Sequence, residues 1–294
     1  MVAIVKSPRA SEAHAASYFA DGYRNVEAFL DEAKAFDIRL FEPNPAVSID
    51  HGPIRCTQKE RRLGKRGLLQ WAVRSLGTRP IDYFEFGVMS CRTFNRVVEW
   101  TPHDEARFYG FDTFDGLPQP WVRAHGNGTL WLGREAGELK AAYPPAVYDE
   151  RAVLFKGLFQ ETLPEALQAA FPTGRQAGRP MLINVDSDLY SSALYVLTNM
   201  HPLLRSGDYV YFDEFFDALN EFSAFNDYVR AYNSKTWFKP IARAYDGMLF
   251  RVEMPGAKAP AEIIDRRSTH FLERMKAYVR TRLSLWLPND PGRP

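Results

Sequence analysis

Four acidic side chains stand where they could do chemistry. The stretch PMLINVDSD ends an apolar run, Met181 to Val185, in Asp186 and Asp188, and YVYFDEF ends another, Tyr209 to Phe212, in Asp213 and Glu214. Runs this short and this apolar predict buried parallel strands. Between them Leu189, Leu194, Leu197, Met200, Leu203 and Leu204 recur at helical spacing, and Arg205-Ser-Gly207 ends that helix with a basic last turn and a C-cap glycine. A right-handed strand–helix–strand unit sets both acidic pairs at the carboxyl edge of neighbouring strands, where open α/β sheets hold their ligands. Carboxylates gathered there without histidine or cysteine are hard oxygen donors, suited to magnesium rather than zinc. Their plainer use is to cap the helix that follows.

A second set lies upstream. IDYFEF (Ile81 to Phe86) predicts a strand with Glu85 near its end, followed by a turn at Gly87 and a helix to about Trp100. RFYGF (Arg107 to Phe111) predicts the next strand, ending in Asp112. An acid, a glycine turn opening a helix, and an acid on the second strand form the usual cradle for a nucleotide-like cofactor. The glycine lets backbone approach the ligand, and the second acid takes two ribose hydroxyls. The G-x-G-x-x-G fingerprint is absent, with Ser90 and Cys91 standing where further glycines would admit a pyrophosphate. A smaller, positively charged ligand without phosphates fits better.

The remaining elements must carry these side chains. AVLFK (Ala152 to Lys156) predicts a third strand, and Gly157 to Pro164 leads into a helix over Glu165 to Phe171. A helix over Asn220 to Tyr232 precedes a hairpin of Trp237 to Ala242 and Gly247 to Glu253. Five βα units and that hairpin predict an α/β, Rossmann-like fold. Its sheet is seven-stranded and mostly parallel, with a C-terminal β-hairpin and helices on both faces. Residues 1–76 form a helical N-terminal extension, with helices over Tyr18 to Phe36 and Lys59 to Leu76 separated by the proline-broken stretch Phe41 to Pro53. The second helix buries Leu63, Leu68, Leu69 and Trp71 and turns its Arg and Lys outward; no catalytic signature is legible before residue 76. Within the core, 77–255, residues 119–150 interrupt the rhythm with a Gly/Pro/Trp-rich loop and one short helix. So long a connection, carrying Trp121 and Trp131, reads as a lid over the substrate. Residues 256–294 read as a basic amphipathic helix and tail, docked on the core or on a second copy in a homo-oligomer, with a membrane surface as the alternative.

EFGVMSCRTF, GFDTFDGLP, GLFQETLP and VDSDLYSSALYVLTNMHPLLRSGDYVYFDEF together resemble the macrocin-type class I S-adenosylmethionine-dependent O-methyltransferases, over roughly Thr57 to Glu253. These modify sugar hydroxyls on macrolides and related natural products. The resemblance implies that Glu85, Gly87 and Thr93 line the methionine part of the cofactor, that Asp112 holds the ribose and that Phe159 lies near the adenine. Phe86, Thr113, Gly157 and Asp186 complete that implied cofactor site. It further implies magnesium at Asp186, Asp213 and Glu214, with Asp186 or Asp188 as general base. A cation on the acceptor hydroxyl would lower its pKa, so that a carboxylate could remove the proton as the methyl group transfers. Two positions depart from the family pattern: a second glycine is usual where Cys91 stands, and Asp-Asp where this chain has Asp213-Glu214.

Over 294 residues, 37 basic and 36 acidic side chains leave a formal charge of +1, so no global field invites nucleic acid. Cys56 and Cys91 form no disulfide framework, and no apolar segment is long enough for export or for a bilayer, so a cytoplasmic protein is expected. His125 and His201 have no partner cluster and read as surface or packing residues. The expected activity is methyl transfer to a small molecule, a glycosylated or hydroxylated natural product. Two other classes compete: a Rossmann dehydrogenase, disfavoured by the missing glycine fingerprint, and a methyltransferase-like scaffold whose altered loop no longer holds a cofactor.

Overall fold

A computed structural model describes residues 24–41, 57–124, 130–141 and 147–255. Cys56, His125, most of the proline-broken stretch and the C-terminal amphipathic helix lie outside the described residues.

The sheet is built outward from β2 (Asp82–Phe86), whose five residues are all buried. On one side β2 pairs in parallel with β3 (Arg107–Asp112), and β3 with β6 (Ala152–Lys156). On its other side lie β7 (Met181–Val185) and then β8 (Tyr209–Phe212), also parallel. The hairpin of β9 (Phe238–Ala244) and β10 (Gly247–Val252) closes the sheet, with β10 antiparallel to both β8 and β9. One strand more than the sequence predicts is present: β1 (Arg39–Leu40) pairs in parallel with β9 and makes the sheet eight-stranded. Two residues carry no periodicity, so this edge strand has no signature in the sequence.

Alternation along β2 divides the core. Tyr83 packs with Phe94 and Phe108 on the face covered by α2 (Gln58–Ser75) and α3 (Arg92–Trp100). On the opposite face, register partners stack across strands, with ring centroids of Phe86 and Phe111 4.8 Å apart and those of Phe111 and Phe155 4.9 Å apart. Such offset pairs add to the burial of large rings. α4 (Phe159–Ala170) also packs on that face, beside α5 (Tyr190–Met200), and α5 packs against α6 (Glu221–Ala231). α4 begins six residues earlier than predicted and runs through Pro164, losing one backbone hydrogen bond while burying Leu163, Ala166 and Ala170. α2 starts at a capping box in which the Thr57 hydroxyl accepts from the Glu60 N–H, 3.2 Å, and Glu60 accepts from the Thr57 N–H, 2.8 Å.

A further helix, α1, spans residues 24–33 and sets Phe29 against Phe215, Phe216, Phe222 and Phe250. The connection read as a lid contains no helix among its described residues. Its described residues include an antiparallel ribbon of β4 (Trp121–Ala124) and β5 (Leu130–Arg134) with a register shift between Trp121 and Val122. No described helix is long and apolar enough to cross a membrane.

Candidate active site

Register brings the strand ends level. Phe86 lies opposite Phe111 on one side and Val185 on the other, and Val185 lies opposite Phe212. The residues that follow, Asp112, Gly87, Asp186 and Asp213, therefore form one row along the carboxyl edge. They line a cleft of about 1020 Å³ that also takes in α2, the ribbon β4–β5 and the start of α4.

Gly87 is required by close approach. Its φ is +99°, and a β-carbon there would stand 1.8 Å from the Asp186 carbonyl oxygen. The loops after β2 and β7 thus touch through backbone. Cys91, at the glycine position of the family pattern, keeps a left-handed conformation with φ 56° and ψ 19° and is fully buried. The cysteine therefore adopts glycine geometry, and its thiol is pushed up to about 12 by burial and by the charges of Glu85 and Asp112.

At the cradle end, Asp112 accepts the backbone N–H groups of Met89, 2.7 Å, and Phe114, 2.6 Å, which fixes its carboxylate at the rim. Burial raises its proton affinity and these two donors oppose the rise. Glu85 is buried and accepts from the Tyr83 hydroxyl. Burial pushes it up to about 7, with Lys65 pulling the other way. Thr93 and Phe159 line the cleft, and Thr113 lines it while donating to the Gly116 carbonyl at 2.6 Å. Phe86 belongs to the aromatic stack and meets Phe159 edge-on at 5.4 Å. Gly157 donates its N–H to the Asp112 carbonyl at 3.0 Å, tying the ends of β6 and β3 together.

At the other end five acids crowd together. Asp186, Asp188 and Glu214 each bring a carboxylate oxygen within 4.8 Å of the others. Asp213 is arranged differently. Its Oδ1 accepts from the Tyr211 hydroxyl, 2.9 Å, and faces Lys65 Nζ at 3.1 Å, while its Oδ2 faces Arg61 Nη2 at 3.0 Å. Both oxygens that the resemblance gave to a metal are thus held by the protein. Burial disfavours the Asp213 anion, yet Lys65 and Arg61 outweigh it and hold the carboxyl at about 2. Asp186 and Asp188 go the opposite way, raised by burial and by neighbouring carboxylates. Asp188 has a left-handed backbone, φ 59°, and its carboxylate has no hydrogen-bond partner among the described residues.

Five contributors carry no functional signature in the sequence: Arg61, Lys65, Glu221, Asp217 and Asn220. Arg61 and Lys65, read as solvent-facing, point into the cluster; their spacing of four residues on one helix face was the available signal. Glu221 is fully buried and accepts the N–H groups of Ser187, 3.2 Å, and Glu214, 3.0 Å, joining the two acidic loops. Asp217 clasps the ribbon: Trp121 Nε1 lies 3.2 Å and Arg123 Nε 3.2 Å from its Oδ2, which also accepts from Asn220 Nδ2 at 2.9 Å. Asn220 in turn donates to the Val122 carbonyl, 2.9 Å. His201, as expected, packs, with Nδ1 2.7 Å from the Tyr228 hydroxyl.

The donor set suits a divalent cation. Among the described residues Glu214 Oε2 is buried without a hydrogen-bond partner, and the five carboxylates Asp186, Asp188, Asp213, Glu214 and Glu221 face two cations bonded within the cluster, Lys65 and Arg61. A hard cation would remove that imbalance.

The family model described as Macrocin-O-methyltransferase (TylF) matches residues 80–244, more than half of the chain. An 8-demethyl-8-(2,3-dimethoxy-alpha-L-rhamnosyl)-tetracenomycin-C 4'-O-methyltransferase of Streptomyces olivaceus is 31% identical over 150 residues. That match covers 46% of this chain and 53% of the relative, so the chain spans about half the length of the curated relative it matches. Among solved structures, the calicheamicin methyltransferase CalS11 shares the fold, with a TM-score of 0.50 and 18% identity over 84% of this chain and 94% of that one. The O-methyltransferase NovP gives a TM-score of 0.49 and 20% identity over 65% of this chain and 80% of that one.

Proposed function

This chain belongs to the macrocin-O-methyltransferase family, and on that premise we propose that it transfers a methyl group to a hydroxyl of a sugar or other natural-product scaffold. The observation that carries the reading is the single cleft in which the Glu85–Gly87–Asp112 cradle and the Asp186–Asp188–Glu214 cluster face one space. S-adenosylmethionine supplies the methyl group when bound. Asp112, fixed by two backbone donors, would accept from its ribose hydroxyls, and Glu85 would balance its positive charge. The carboxylates of the cleft would orient the acceptor hydroxyl toward that methyl group and take up its proton as the oxygen is alkylated. Positioning the two reactants is the main contribution the protein makes.

We assign that proton to Asp188, whose carboxylate has no hydrogen-bond partner among the described residues and whose proton affinity burial and neighbouring acids raise. Asp186 and Glu214 are the donors that would hold magnesium, which would lower the pKa of the acceptor hydroxyl. The ribbon β4–β5 acts as the lid over the acceptor. The curated relative is named for 4'-O-methylation of a rhamnosyl tetracenomycin, so rhamnosylated scaffolds are the acceptors to try first. Calorimetric titration with S-adenosylmethionine and with NADH, followed by mass detection of a methylated rhamnoside, tests the reading. Binding of the first ligand alone with methyl transfer is expected; a folded protein that ignores S-adenosylmethionine overturns it.

A further inference from the structure

The carboxylate cluster already has cations, and they come from outside the core. Arg61 and Lys65 belong to α2, upstream of the family-matching residues 80–244. Lys65 Nζ is bonded to Asp186 Oδ2 and lies 3.1 Å from Asp213 Oδ1. Arg61 Nη2 lies 3.0 Å from Asp213 Oδ2, 3.4 Å from the Asp213 carbonyl, and is bonded to Glu214 Oε1. The Lys65 side chain is only 12% exposed and the Arg61 side chain 18%. Gly64 between them presses α2 onto its neighbours: a β-carbon there would stand 2.8 Å from the Phe41 carbonyl oxygen and 2.9 Å from the Tyr245 ring. The two long side chains are therefore aimed into the cleft by a helix seated at close range.

We propose that Lys65 is the resident counter-ion of this site: it occupies Asp186 until a divalent cation takes that carboxylate, so that α2 sets the cation affinity of the cleft. This rests on the metal-assisted reading above. An ammonium bonded to a largely buried carboxylate must be displaced before a second cation can use the same oxygen, and burial strengthens that attraction. Once displaced, Lys65 keeps Asp213 as its partner. Asp213 then serves as the seat of α2 instead of a metal ligand, because Tyr211, Lys65 and Arg61 already take its two oxygens. Arg61 holds Asp213 and Glu214 together and keeps the helix in place throughout.

The test measures binding, with no acceptor present. Manganese, a carboxylate-seeking probe detected by electron paramagnetic resonance, is titrated into the full-length protein, with magnesium as competitor. Lys65→Met is expected to bind manganese about tenfold or more tightly than the unmodified protein, because the competitor is gone. Lys65→Arg, which keeps the charge, should stay within about threefold. Manganese should also raise the melting temperature of Lys65→Met more than that of the unmodified chain. Lys65→Gln is the parallel variant should Lys65→Met not fold. Equal or weaker manganese binding by the uncharged variants, beside normal binding by the unmodified protein, overturns the counter-ion role and leaves the metal reading standing. No manganese binding by any of them, with S-adenosylmethionine still bound, overturns the metal reading and this inference together.

Discussion

Glu85 shows how a single burial changes what a residue can do. Its carboxyl sits at about 7 in the folded chain against an ordinary 4.5, so the folded state holds the proton more tightly than the unfolded one. The associated stability is complete below pH 4.5 and is lost as pH rises through 7, by about 3 kcal/mol. Urea unfolding should show the unmodified protein losing about that much relative to Glu85→Gln between pH 4.5 and 7.5; parallel curves would remove the effect. A bound cation favours the Glu85 anion, so affinity for S-adenosylmethionine should rise with pH through 7 and flatten in the Gln variant. Asp112 makes a separate claim. Asp112→Ala should weaken that affinity by about 1.5–3 kcal/mol, the range for hydrogen bonds to a charged group. Unchanged affinity in a folded variant would sink the ribose assignment. Cys91 isolates backbone strain: Cys91→Gly and Cys91→Ala both lose the buried sulfur, but only glycine relaxes at φ 56°. Cys91→Gly should therefore be the more stable of the two by about 1 kcal/mol in chemical denaturation.

Elements differ in how plainly the sequence announces them. β2, β3, β6, β7 and β8 are apolar runs ending in an acid or in Lys156 before glycine, and β-strand ends are where the cradle and the acids were expected. The cations of α2 were hidden because Arg61 and Lys65 sit among Arg62, Arg66 and other basic residues that also read as a solvated face. The spacing of four that pairs Arg61 with Lys65 also pairs Arg62 with Arg66, so only the tertiary placement of α2 against α3 and β9 tells which pair meets the carboxylates. Pro164 favours a helix N-terminus by sequence, whereas Glu161 reaching back to the Leu158 N–H, 3.3 Å, caps α4 earlier. The ribbon has no strand signature because its Gly- and Pro-rich stretch shows no alternation. Its clasp on Asp217 yields a test. Asp217→Ala strands Trp121 Nε1 and Asn220 Nδ2, so the ribbon should loosen and proteolysis within it should quicken. Acceptor turnover should fall about tenfold while cofactor affinity stays nearly intact. Equal loss of both would point to general unfolding instead.

At the scale of the whole molecule the sheet gathers charge that the core residues alone do not balance. β7 and β8 deliver Asp186, Asp188, Asp213 and Glu214 to one edge, Glu221 arrives from α6, and the bonded compensation, Lys65 and Arg61, is imported by α2. Burial, and after it the neighbouring carboxylates, raises the pKa of Asp186, Asp188 and Glu221. Two cations reduce that cost without removing it, and a hard divalent cation would complete the compensation while orienting the acceptor oxygen. Chelation with EDTA should therefore abolish methyl transfer, and magnesium should restore it. Asp186→Asn should behave like chelation in both turnover and manganese binding. Asp188→Asn should lower turnover at least about a hundredfold, as for loss of a general base, with manganese affinity changed far less. Asp213→Asn should act on the protein rather than the cation, lowering the melting temperature by freeing Arg61 and Lys65. Full turnover in EDTA, with Asp188→Asn still inactive, would assign the chemistry to the carboxylate base and the two α2 cations alone.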